Sequence, residues 1–403
     1  MTATKERNLR TGQPVWEIYP APRVPHRKLT RNISTDVLII GAGITGAMIG
    51  EALAGTGLEI VIVDYRPPTK GATTASTALI QYEIDTPLIE LSKKIGRIDA
   101  VRAWRRSRLA VTSLSGHLRT LGIEMQMRDA LYLAGNKLSG ASLRREAQAR
   151  IEAGFETFIL NRKELKARFG IARESALFGY DNVAADPRAM TATLLKTAVR
   201  KGARIYSPAK IAGVEPRKSF VAAKTDSGRT IRAKTLIFAT GYELPKGVPA
   251  KGHKITSTWA IATRPQKSKL WPEQCLIWEA SDPYLYMRTS ADGRVICGGE
   301  DEDFSDEAHR DALLDRKAAI LARKLKKLFP ALDTRPQFAW TASFGESTTS
   351  LPSIGRVPGM GHCWAALGYG GNGITYSRIA ADVIRAELTG DGDPDADLYR
   401  FGR

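Results

Sequence analysis

Hydrophobic and polar positions follow their clearest pattern between Asp36 and Asp64, where the chain reads DVLIIGAGITGAMIGEALAGTGLEIVIVD. The run TDVLII ends in four apolar residues and is typical of a strand buried in a parallel sheet. The segment ITGAMIGEALAGTG carries apolar residues at helical spacing and ends in glycine, and LEIVIVD is a second apolar run. These residues therefore predict a strand–helix–strand unit of about thirty residues.

The same patterns predict helices alternating with strands along the rest of the chain. Asp186 suits the N-cap of one helix, Pro187 its first turn and Gly202 its end. Between Thr256 and Gly299 the chain contains several strand-like runs. The other predicted elements are helices over 97–121, 140–168 and 306–329, strands in DALYLAG and at 234–241, and a glycine-rich loop that leads into a last helix.

This order of elements predicts an α/β fold with a Rossmann-like dinucleotide-binding domain built from discontinuous segments. A second domain, largely antiparallel β plus helix, is expected to be inserted into it and to bind the substrate. Residues 1–34 are rich in Pro and Arg and are expected to form an extended arm. The predicted dinucleotide-binding domain comprises 35–85, 170–255 and 336–403, and the predicted substrate domain comprises 86–169 and 256–335.

The length of the chain indicates how many domains to expect, and the distribution of its charge bears on whether it binds nucleic acid. A chain of 403 residues is long enough for two or more domains. The net charge of +18 comes from basic residues that are spread over distant segments and are not interleaved with aromatic side chains. Solubility and substrate steering are therefore favoured over nucleic-acid binding as the reason for the charge.

Cysteine and histidine are too sparse to build a disulfide framework or a metal cluster. The three cysteines, Cys275, Cys297 and Cys363, lie far apart, and the five histidines are scattered. A reducing, cytoplasmic location is expected from this usage. The longest apolar run is also too short for a transmembrane segment, and it is broken by glycine.

The glycines of the first predicted turn indicate a dinucleotide site. Gly41, Gly43 and Gly46 form a G-x-G-x-x-G pattern directly after a strand and before a helix. In such a turn the glycines allow a tight bend, a close approach to a pyrophosphate and close packing of helix on strand. Asp64 ends the second strand, where an acid accepts hydrogen bonds from a ribose and repels a 2′-phosphate. NADP is therefore not expected.

Two further segments favour FAD over NAD. The segment KGATTASTALIQYEID is dense in small and hydroxyl residues, which suits a long cofactor whose phosphates and ribityl chain lie against the backbone. The loop GYGGNG before the last predicted helix offers a second group of backbone amides. A helix that starts near Ile374 would aim its positive end at the flavin and stabilise the reduced, anionic form.

The order of these motifs resembles the D-amino-acid oxidase / glycine oxidase family of FAD-dependent oxidoreductases. The matching stretches are DVLIIGAGITG, GATTAST, ADPRAM, LIFATG, GRVICGGED, LPSIGRVPG and WAALGYGGNGI. They cover nearly the whole chain after residue 34 and are most similar to the gamma-glutamylputrescine oxidase-like branch. The resemblance implies a two-domain fold and oxidation of a C–N bond by hydride transfer to the flavin, followed by hydrolysis of the imine.

The resemblance also implies how the cofactor is held. The glycine turn would bind the pyrophosphate, Asp64 the adenosine ribose and the backbone of Val214 the adenine. Non-covalent FAD is expected, because GATTAST has no histidine and Cys363 suits a buried small hydrophobic position. The implied cofactor-binding residues are Gly41, Gly43, Ile44, Thr45, Gly46, Asp64, Tyr65, Ala75, Ser76, Thr77, Val214, Thr240, Gly241, Gly368, Gly370, Gly371, Gly373 and Ile374.

Two stretches are candidates for the substrate site. In YLYMR, alternation places Tyr284, Tyr286 and Arg288 on one face, where the arginine would hold a carboxylate. In QYEID it places Gln81, Glu83 and Asp85 on one face, where the acids would hold a second amine. Either stretch can equally be an ordinary sheet face or exposed edge. No residue is assigned as a general base, because a neutral amine can lose hydride without one.

Several functional alternatives stay open at this point. The substrate is an amine or amino acid in the main hypothesis and an aminomethyl-modified tRNA base in the second. A third hypothesis is a flavin-containing subunit that needs a partner. The electron acceptor is O2 or another carrier, since the strand RVICGG lacks the lysine that promotes oxygen reaction in some relatives.

Overall fold

The structure is a computed structural model that describes residues 4–250 and 252–402. Its strands, in chain order, are β1 (Arg10–Gly12), β2 (Ile33–Ile40), β3 (Ile60–Val63), β4 (Leu79–Ile80), β5 (Met125–Leu133), β6 (Thr157–Asn161), β7 (Ser175–Ala185), β8 (Arg204–Tyr206), β9 (Ile211–Pro216), β10 (Val221–Thr225), β11 (Thr230–Phe238), β12 (His253–Thr263), β13 (Leu276–Glu279), β14 (Leu285–Thr289), β15 (Val295–Glu302), β16 (Pro336–Ser347), β17 (Ser353–Arg356) and β18 (Cys363–Leu367). Its α-helices are α1 (Ile44–Leu53), α2 (Leu88–Ile95), α3 (Arg97–Thr120), α4 (Gly140–Glu152), α5 (Arg162–Phe169), α6 (Pro187–Arg200), α7 (Glu307–Ala312), α8 (Leu314–Leu328) and α9 (Gly373–Thr389).

One sheet of the described chain has eight strands and a parallel centre. Its order is β17-β18-β11-β2-β3-β8, and β10 and β9 continue from β11. The strands β18, β11, β2, β3 and β8 are parallel, whereas β17, β10 and β9 pair antiparallel. The predicted strand–helix–strand unit is confirmed as β2, α1 and β3 at the centre of this sheet.

Alternate residues of the central strands face different layers. Ile39 and Ile62 belong to a core cluster shared with α1, α6 and α9. Leu38 and Val61 belong to another cluster that includes side chains of β9 and β10. Because both faces of the sheet are covered, these strands are apolar throughout, and a continuous apolar run identified them.

The other sheet has ten strands and is largely antiparallel, as predicted. Its order is β1-β16-β12-β15-β14-β13-β5-β7-β4, and β6 pairs with β7. Every pair is antiparallel except β13 with β5. Apolar residues of α5 and α8 cover part of it, among them Phe169 and Leu321. Within the described residues, no helix is long and apolar enough to cross a membrane.

The prediction of one helix over 140–168 is wrong. The chain leaves α4 at Gly154, whose φ is +87°, and then forms β6 before α5 begins. The Asn161 side chain caps α5 by accepting hydrogen bonds from the amides of Lys163 and Glu164. Strand β6 has three consecutive apolar residues, Phe158, Ile159 and Leu160, of which the first two are exposed, so it lacks the alternation that would have distinguished a strand from a helix. The predicted helix over 306–329 is likewise divided into α7 and α8.

The two sheets do not follow the predicted segment boundaries everywhere. Strands β7 and β16 lie in segments predicted for dinucleotide binding, yet both belong to the ten-stranded sheet. Strand β4, at the end of 35–85, pairs with β7 in the same sheet. Strand β4 has only two residues, whereas β7 and β16 have 11 and 12, and each of the three pairs with at least one strand that is distant in sequence. Local pattern alone therefore does not assign them.

The N-terminal arm crosses both halves of the molecule. Strand β1 extends the ten-stranded sheet by pairing with β16. The Trp16 side chain is buried, and the Arg27 amide donates to the Ile205 carbonyl oxygen in β8 at 3.1 Å. The arm is thus extended, as expected, but it is packed against the body of the protein.

Candidate functional site

A large cavity runs between the two sheets, and most of the predicted site residues line it. Its wall comes from the carboxyl ends of β2, β3 and β11, from the segment after β3, and from the exposed face of the ten-stranded sheet. The predicted cofactor residues in the wall are Gly41, Gly43, Ile44, Thr45, Asp64, Tyr65, Ala75, Ser76, Thr77, Thr240, Gly241, Gly370, Gly371, Gly373 and Ile374.

The glycine turn has the geometry that its spacing predicts. Gly41 has φ +116°, and a Cβ atom there would lie 2.2 Å from the Ala239 carbonyl oxygen. A Cβ atom at Gly46 would lie 1.8 Å from the Gly41 carbonyl oxygen, so α1 and the turn approach closely only because position 46 has no side chain. Gly46 supports the site from behind and is not in the cavity wall.

Helix α1 begins at this turn and presents its amino end to the cavity. Its N-cap is Gly43, and no side chain of the cap residue accepts a helix amide. The first amides of a helix lack carbonyl partners in their own helix, and the helix dipole makes this end positive. The Ile44 amide donates to the Thr73 hydroxyl at 3.0 Å. This end of the cavity therefore suits an anionic diphosphate.

Asp64 lies in the wall at the end of β3. Its carboxylate accepts hydrogen bonds from the Ala42 and Arg66 amides, each at 2.8 Å. Burial raises the pKa of Asp64, and these amides act in the opposite direction. The carboxylate therefore orients the glycine turn as well as facing the cavity, and each oxygen can still accept a ribose hydroxyl.

A second carboxylate beside Asp64, that of Glu243, was missed by the sequence analysis. Glu243 is 4% exposed and accepts hydrogen bonds from the Tyr65 hydroxyl at 2.6 Å and from Arg66 Nη2 at 2.7 Å. The only local signal was its position two residues after Gly241 in LIFATGYE. Its partners are far away in sequence, so this network is visible only in the fold.

Two tryptophans fix the segment that follows Asp64. Trp340 Nε1 donates to the Ala75 carbonyl oxygen at 2.8 Å, and Trp16 Nε1 donates to the Ser76 carbonyl oxygen at 2.7 Å. Both indoles are buried. Because these carbonyls are bonded on the protein side, the small side chains of the segment are held against the cavity.

The C-terminal glycine loop closes the middle of the cavity. The Gly371 amide donates to Asp85 Oδ2 at 2.8 Å, and Asn372 Nδ2 donates to the Glu83 carbonyl oxygen at 2.9 Å. The loop leads into α9, whose amino end is again turned towards the cavity through Gly373 and Ile374. A second helix terminus thus faces the same space as the first.

The far end of the cavity is an aromatic chamber. Tyr284 and Tyr286 lie in its wall with ring centroids 5.5 Å apart, and Trp278 and Phe344 line it as well. Burial raises the pKa of Tyr284 and of Tyr286 well above the ordinary value for tyrosine. Both phenols are therefore neutral hydrogen-bonding groups at physiological pH.

Asp85 is the acidic group of this chamber. Burial in the protein raises its pKa to about 6, although the Gly371 amide favours the ionised form. Asp301 lies beside Tyr284 and Thr258, and burial raises its pKa to about 7. The two carboxyl groups repel each other's charge. A bound cation would therefore be stabilised at this end of the cavity.

The geometry does not support the predicted role of Arg288 as a carboxylate anchor. Arg288 is 3% exposed and is not in the cavity wall. Its Nη1 donates to the carbonyl oxygens of Ala78 at 2.6 Å and Ala185 at 2.9 Å, and the guanidinium lies over the Trp16 ring. Burial lowers the pKa of Arg288 to about 9. The arginine therefore joins the arm, the segment before β4 and the end of β7.

Glu83 is also turned away from the cavity. It is 3% exposed, and burial raises its pKa to about 7. Gln81 and Asp85 line the cavity as predicted. The alternation fails because the regular strand β4 ends at Ile80, and the chain bends through 82–86.

Besides Gly46, two predicted cofactor residues lie outside the wall. Val214 sits within β9, and Ile211, at the start of the same strand, lines the cavity instead. A Cβ atom at Gly368 would lie 2.2 Å from the ring of His253, so this glycine makes room for a side chain rather than for a ligand. In both cases a neighbour in the same segment, Ile211 or Gly370, lines the cavity instead.

Covalent attachment of a flavin through a histidine or a cysteine would need one of these side chains in the cavity wall. No described cysteine or histidine lines it. Cys363 is buried in β18, within the cluster on the opposite side of the eight-stranded sheet. Within the described residues, no group of His, Cys, Asp or Glu is arranged to hold a metal ion. The length of the wall, from the glycine turn to the aromatic chamber, fits an extended dinucleotide.

Comparison with known proteins agrees with this geometry. The model of the family described as "FAD dependent oxidoreductase" matches residues 36–387. The chain is 24% identical to "Probable oxidoreductase OrdL" of Rhizobium meliloti (strain 1021), covering 96% of this chain and 88% of that protein. It is 22% identical to "Gamma-glutamylputrescine oxidoreductase" of Escherichia coli (strain K12), covering 92% and 87%.

The fold is also that of a solved structure. The glycine oxidase from Geobacillus kaustophilus superposes with a TM-score of 0.75 at 19% identity, covering 92% of this chain and 99% of that one. A likeness at this identity establishes the fold. The predicted resemblance to the D-amino-acid oxidase / glycine oxidase family is thereby confirmed.

Proposed function

Because the chain belongs to the family of FAD-dependent oxidoreductases, we propose that it oxidises the C–N bond of a small amine, with FAD held non-covalently between the two sheets. The observation that carries the proposal is the continuity of the cavity. The glycine turn, the C-terminal glycine loop and the aromatic chamber with Asp85 line one space. A dinucleotide and a small substrate can therefore lie end to end in it.

The two helix termini and Asp64 are the groups that hold the cofactor in this proposal. The amides at the start of α1 bind the diphosphate, and Asp64 accepts a ribose hydroxyl. The backbone at Ala75 and Ser76 supports the middle of the dinucleotide. FAD, when bound, supplies the acceptor for the hydride that leaves the carbon next to the amine. The imine that remains reacts with water to give a carbonyl compound and a free amine.

The charges of the wall favour an amine over an α-amino acid. The basic side chains in the wall are Arg66 and Lys210, and they are paired with Glu243 at 2.7 Å and Glu6 at 2.5 Å. Those pairs lie next to Asp64, at the adenosine end. The chamber with the tyrosines contains Asp85 and no arginine or lysine among the described lining residues. A substrate carboxylate would have no cationic partner there.

The chain's own residues prepare the substrate in two ways. Asp85 attracts the protonated amine or a second ammonium group, because its carboxylate lies in the cavity wall and has no basic side chain beside it among the described lining residues of the chamber. The tyrosines, the tryptophan and Phe344 exclude water from the reacting carbon and orient the substrate by shape. A proton leaving the amine has an acceptor in Asp85.

The test is a substrate screen on the purified protein without oxygen. Flavin absorbance is followed while monoamines, diamines, glycine, D- and L-amino acids and aminomethyl-modified tRNA are added separately. We expect bleaching by amines that lack an α-carboxylate. Bleaching by amino acids alone would reject the amine assignment, and bleaching by the tRNA alone would favour the nucleic-acid hypothesis.

The same preparation tests the cofactor and the electron acceptor. Acid precipitation should release FAD into the supernatant; flavin retained in the pellet would contradict non-covalent binding. Reoxidation of the reduced protein with air, and then with an artificial acceptor, separates an oxidase from a dehydrogenase. A protein that contains no flavin and takes none up would overturn the proposed function.

A further inference from the structure

We infer that the N-terminal arm closes the adenosine end of the cofactor cavity and sets how fast FAD enters and leaves. Thr4, Glu6 and Leu9 lie in the cavity wall together with Asp64 and Glu243. The family match begins only at residue 36, so this part of the wall comes from a segment outside the matched residues. The inference rests on the cofactor site proposed above and goes beyond the reaction.

Backbone contacts fasten the start of the arm to the cofactor side. Thr4 forms an antiparallel bridge with Pro245. The Arg7 amide donates to Glu243 Oε1 at 2.9 Å, and Arg66 Nη2 donates to the Arg7 carbonyl oxygen at 2.8 Å. Glu243 thus binds the arm with the same carboxylate that holds Arg66 beside Asp64.

The next residue of the arm is fastened to the other half of the molecule. The Asn8 amide donates to Glu307 Oε2 at 2.6 Å, and Arg310 Nη1 donates to the Asn8 carbonyl oxygen at 2.9 Å. Glu307 and Arg310 belong to α7, which packs beside the ten-stranded sheet. Five consecutive residues therefore bridge the cavity from one sheet to the other.

Buried apolar surface anchors the arm only on the C-terminal side of residues 4–8. Leu9 is buried, and β1 follows it in the ten-stranded sheet. Before that anchor, Lys5, Glu6 and Asn8 are exposed. The bonds of Arg7 and Asn8 are exposed or part-buried and cover little apolar surface, and such contacts open at lower free-energy cost than a packed core does. Residues 4–8 can therefore swing open about Leu9 without disturbing the sheets, and a dinucleotide must wait for that opening.

A reversible crosslink tests the inference directly. Residues paired in an antiparallel bridge have Cα atoms about 4.5–5.5 Å apart, which is within the range of a disulfide. In the double variant Thr4→Cys/Pro245→Cys, oxidation should lock the arm shut. The native cysteines do not compete, because all three are buried and burial raises the pKa of the Cys363 thiol to about 11.

The readout is the release of FAD from the holoenzyme, followed by flavin fluorescence after dilution. We expect release from the oxidised double variant to be about ten-fold slower than from the same sample after reduction, since the crosslink holds the arm in place while the bonds of Arg7 and Asn8 open and close. Uptake of FAD by the stripped, oxidised protein should be slowed to a similar degree. Wild-type protein with and without reductant is the matched control.

Removal of residues 1–7 is the complementary variant and should speed FAD release about ten-fold. The melting temperature of the flavin-free truncated protein shows whether it has kept its fold, and the crosslink decides if it has not. Equal release rates in the oxidised and reduced double variant would overturn the inference while leaving the proposed function intact. Failure of every form to bind FAD would overturn both.

Discussion

The Asp64 carboxylate acts on two sides at once. It accepts the Ala42 and Arg66 amides at 2.8 Å and also faces the cavity. A change at this position therefore alters the glycine turn and the ribose contact together. Glu215, by contrast, is partly exposed in β9, and its carboxylate pairs with Arg217 and Lys224 away from the cavity wall, which makes it a suitable control position.

We expect Asp64→Ala to weaken FAD binding about ten- to a hundred-fold, because a hydrogen bond to a charged group contributes roughly 1.5–3 kcal/mol. Fluorescence titration of the flavin-free protein measures the dissociation constant. Glu215→Gln should leave it unchanged. A dissociation constant that stays the same in Asp64→Ala would mean that the ribose is held elsewhere.

Asp85 gives a prediction about pH. Because its pKa is about 6, the carboxylate is neutral below this pH and charged above it. The KM for a cationic amine should therefore fall as the pH rises from about 5 to 7, since the charged form binds the cation. In Asp85→Asn the KM should be about ten-fold higher at pH 7 and should lose this dependence.

The stability of the Asp85→Asn variant distinguishes a substrate-binding role of Asp85 from a purely structural role. The folded-state pKa of Asp85 is raised from the ordinary value of 3.8 to about 6, so this group lowers the stability as the pH rises from 3.8 to about 6, and the loss is complete above that pH. Asp85→Asn should therefore be at least as stable as the parent at pH 7. A variant with a lowered melting temperature and an unchanged KM would contradict the substrate role.

At the scale of elements, the turn between β2 and α1 has no room for side chains at two of its glycines. Gly46→Ala would place a methyl group 1.8 Å from the Gly41 carbonyl oxygen, so α1 must move away from the turn. Gly116 lies in α3, and a Cβ atom there meets nothing within 4 Å. Both glycines lie in helices, but a side chain would clash at Gly46 and would fit at Gly116.

We expect Gly46→Ala to lower the free energy of unfolding by about 1–3 kcal/mol through overpacking and to weaken FAD binding. Gly116→Ala should instead raise it by up to about 1 kcal/mol, because alanine is the better helix former. Denaturant unfolding with and without FAD measures both effects. Equal stability of the two variants would show that α1 can shift without cost.

At the scale of the whole molecule, Arg288 connects parts that are far apart in sequence. Its guanidinium bonds the carbonyls of Ala78 and Ala185 and lies over the ring of Trp16. These residues belong to the segment next to the cavity, to β7 and to the arm. The arginine thus contributes to the assembly of the two halves rather than to one site.

Arg288→Lys should lower the free energy of unfolding by about 2–3 kcal/mol, because a lysine cannot reproduce the fork of hydrogen bonds and buried carbonyls lose their partners. The KM for an amine substrate should be unchanged in the folded fraction. Arg217→Lys, at an exposed position, is the control. A raised KM with unchanged stability would restore Arg288 as a substrate-binding residue.

Local features of the sequence determined the centre of the fold and the cofactor end of the site. The strand–helix–strand unit, the turn at Gly41 and the cap at Asp186 each depend on residues close together in the chain. Asp186 indeed accepts the amides of Arg188 and Ala189. The prediction of FAD-dependent oxidoreductase chemistry came from the order of such motifs, and the family match confirms it.

Tertiary structure decided which side chains reach the cavity. Glu83 and Arg288 carry the right chemistry for a substrate site, but the chain bends after Ile80 and buried carbonyls engage the arginine. The contributions of Glu243 and Thr4 depend on partners more than a hundred residues away. The periodicity of hydrophobic residues and the spacing of glycines depend only on residues that are close together in the chain. The wall of a site between two sheets depends on how segments that are distant in the chain pack together.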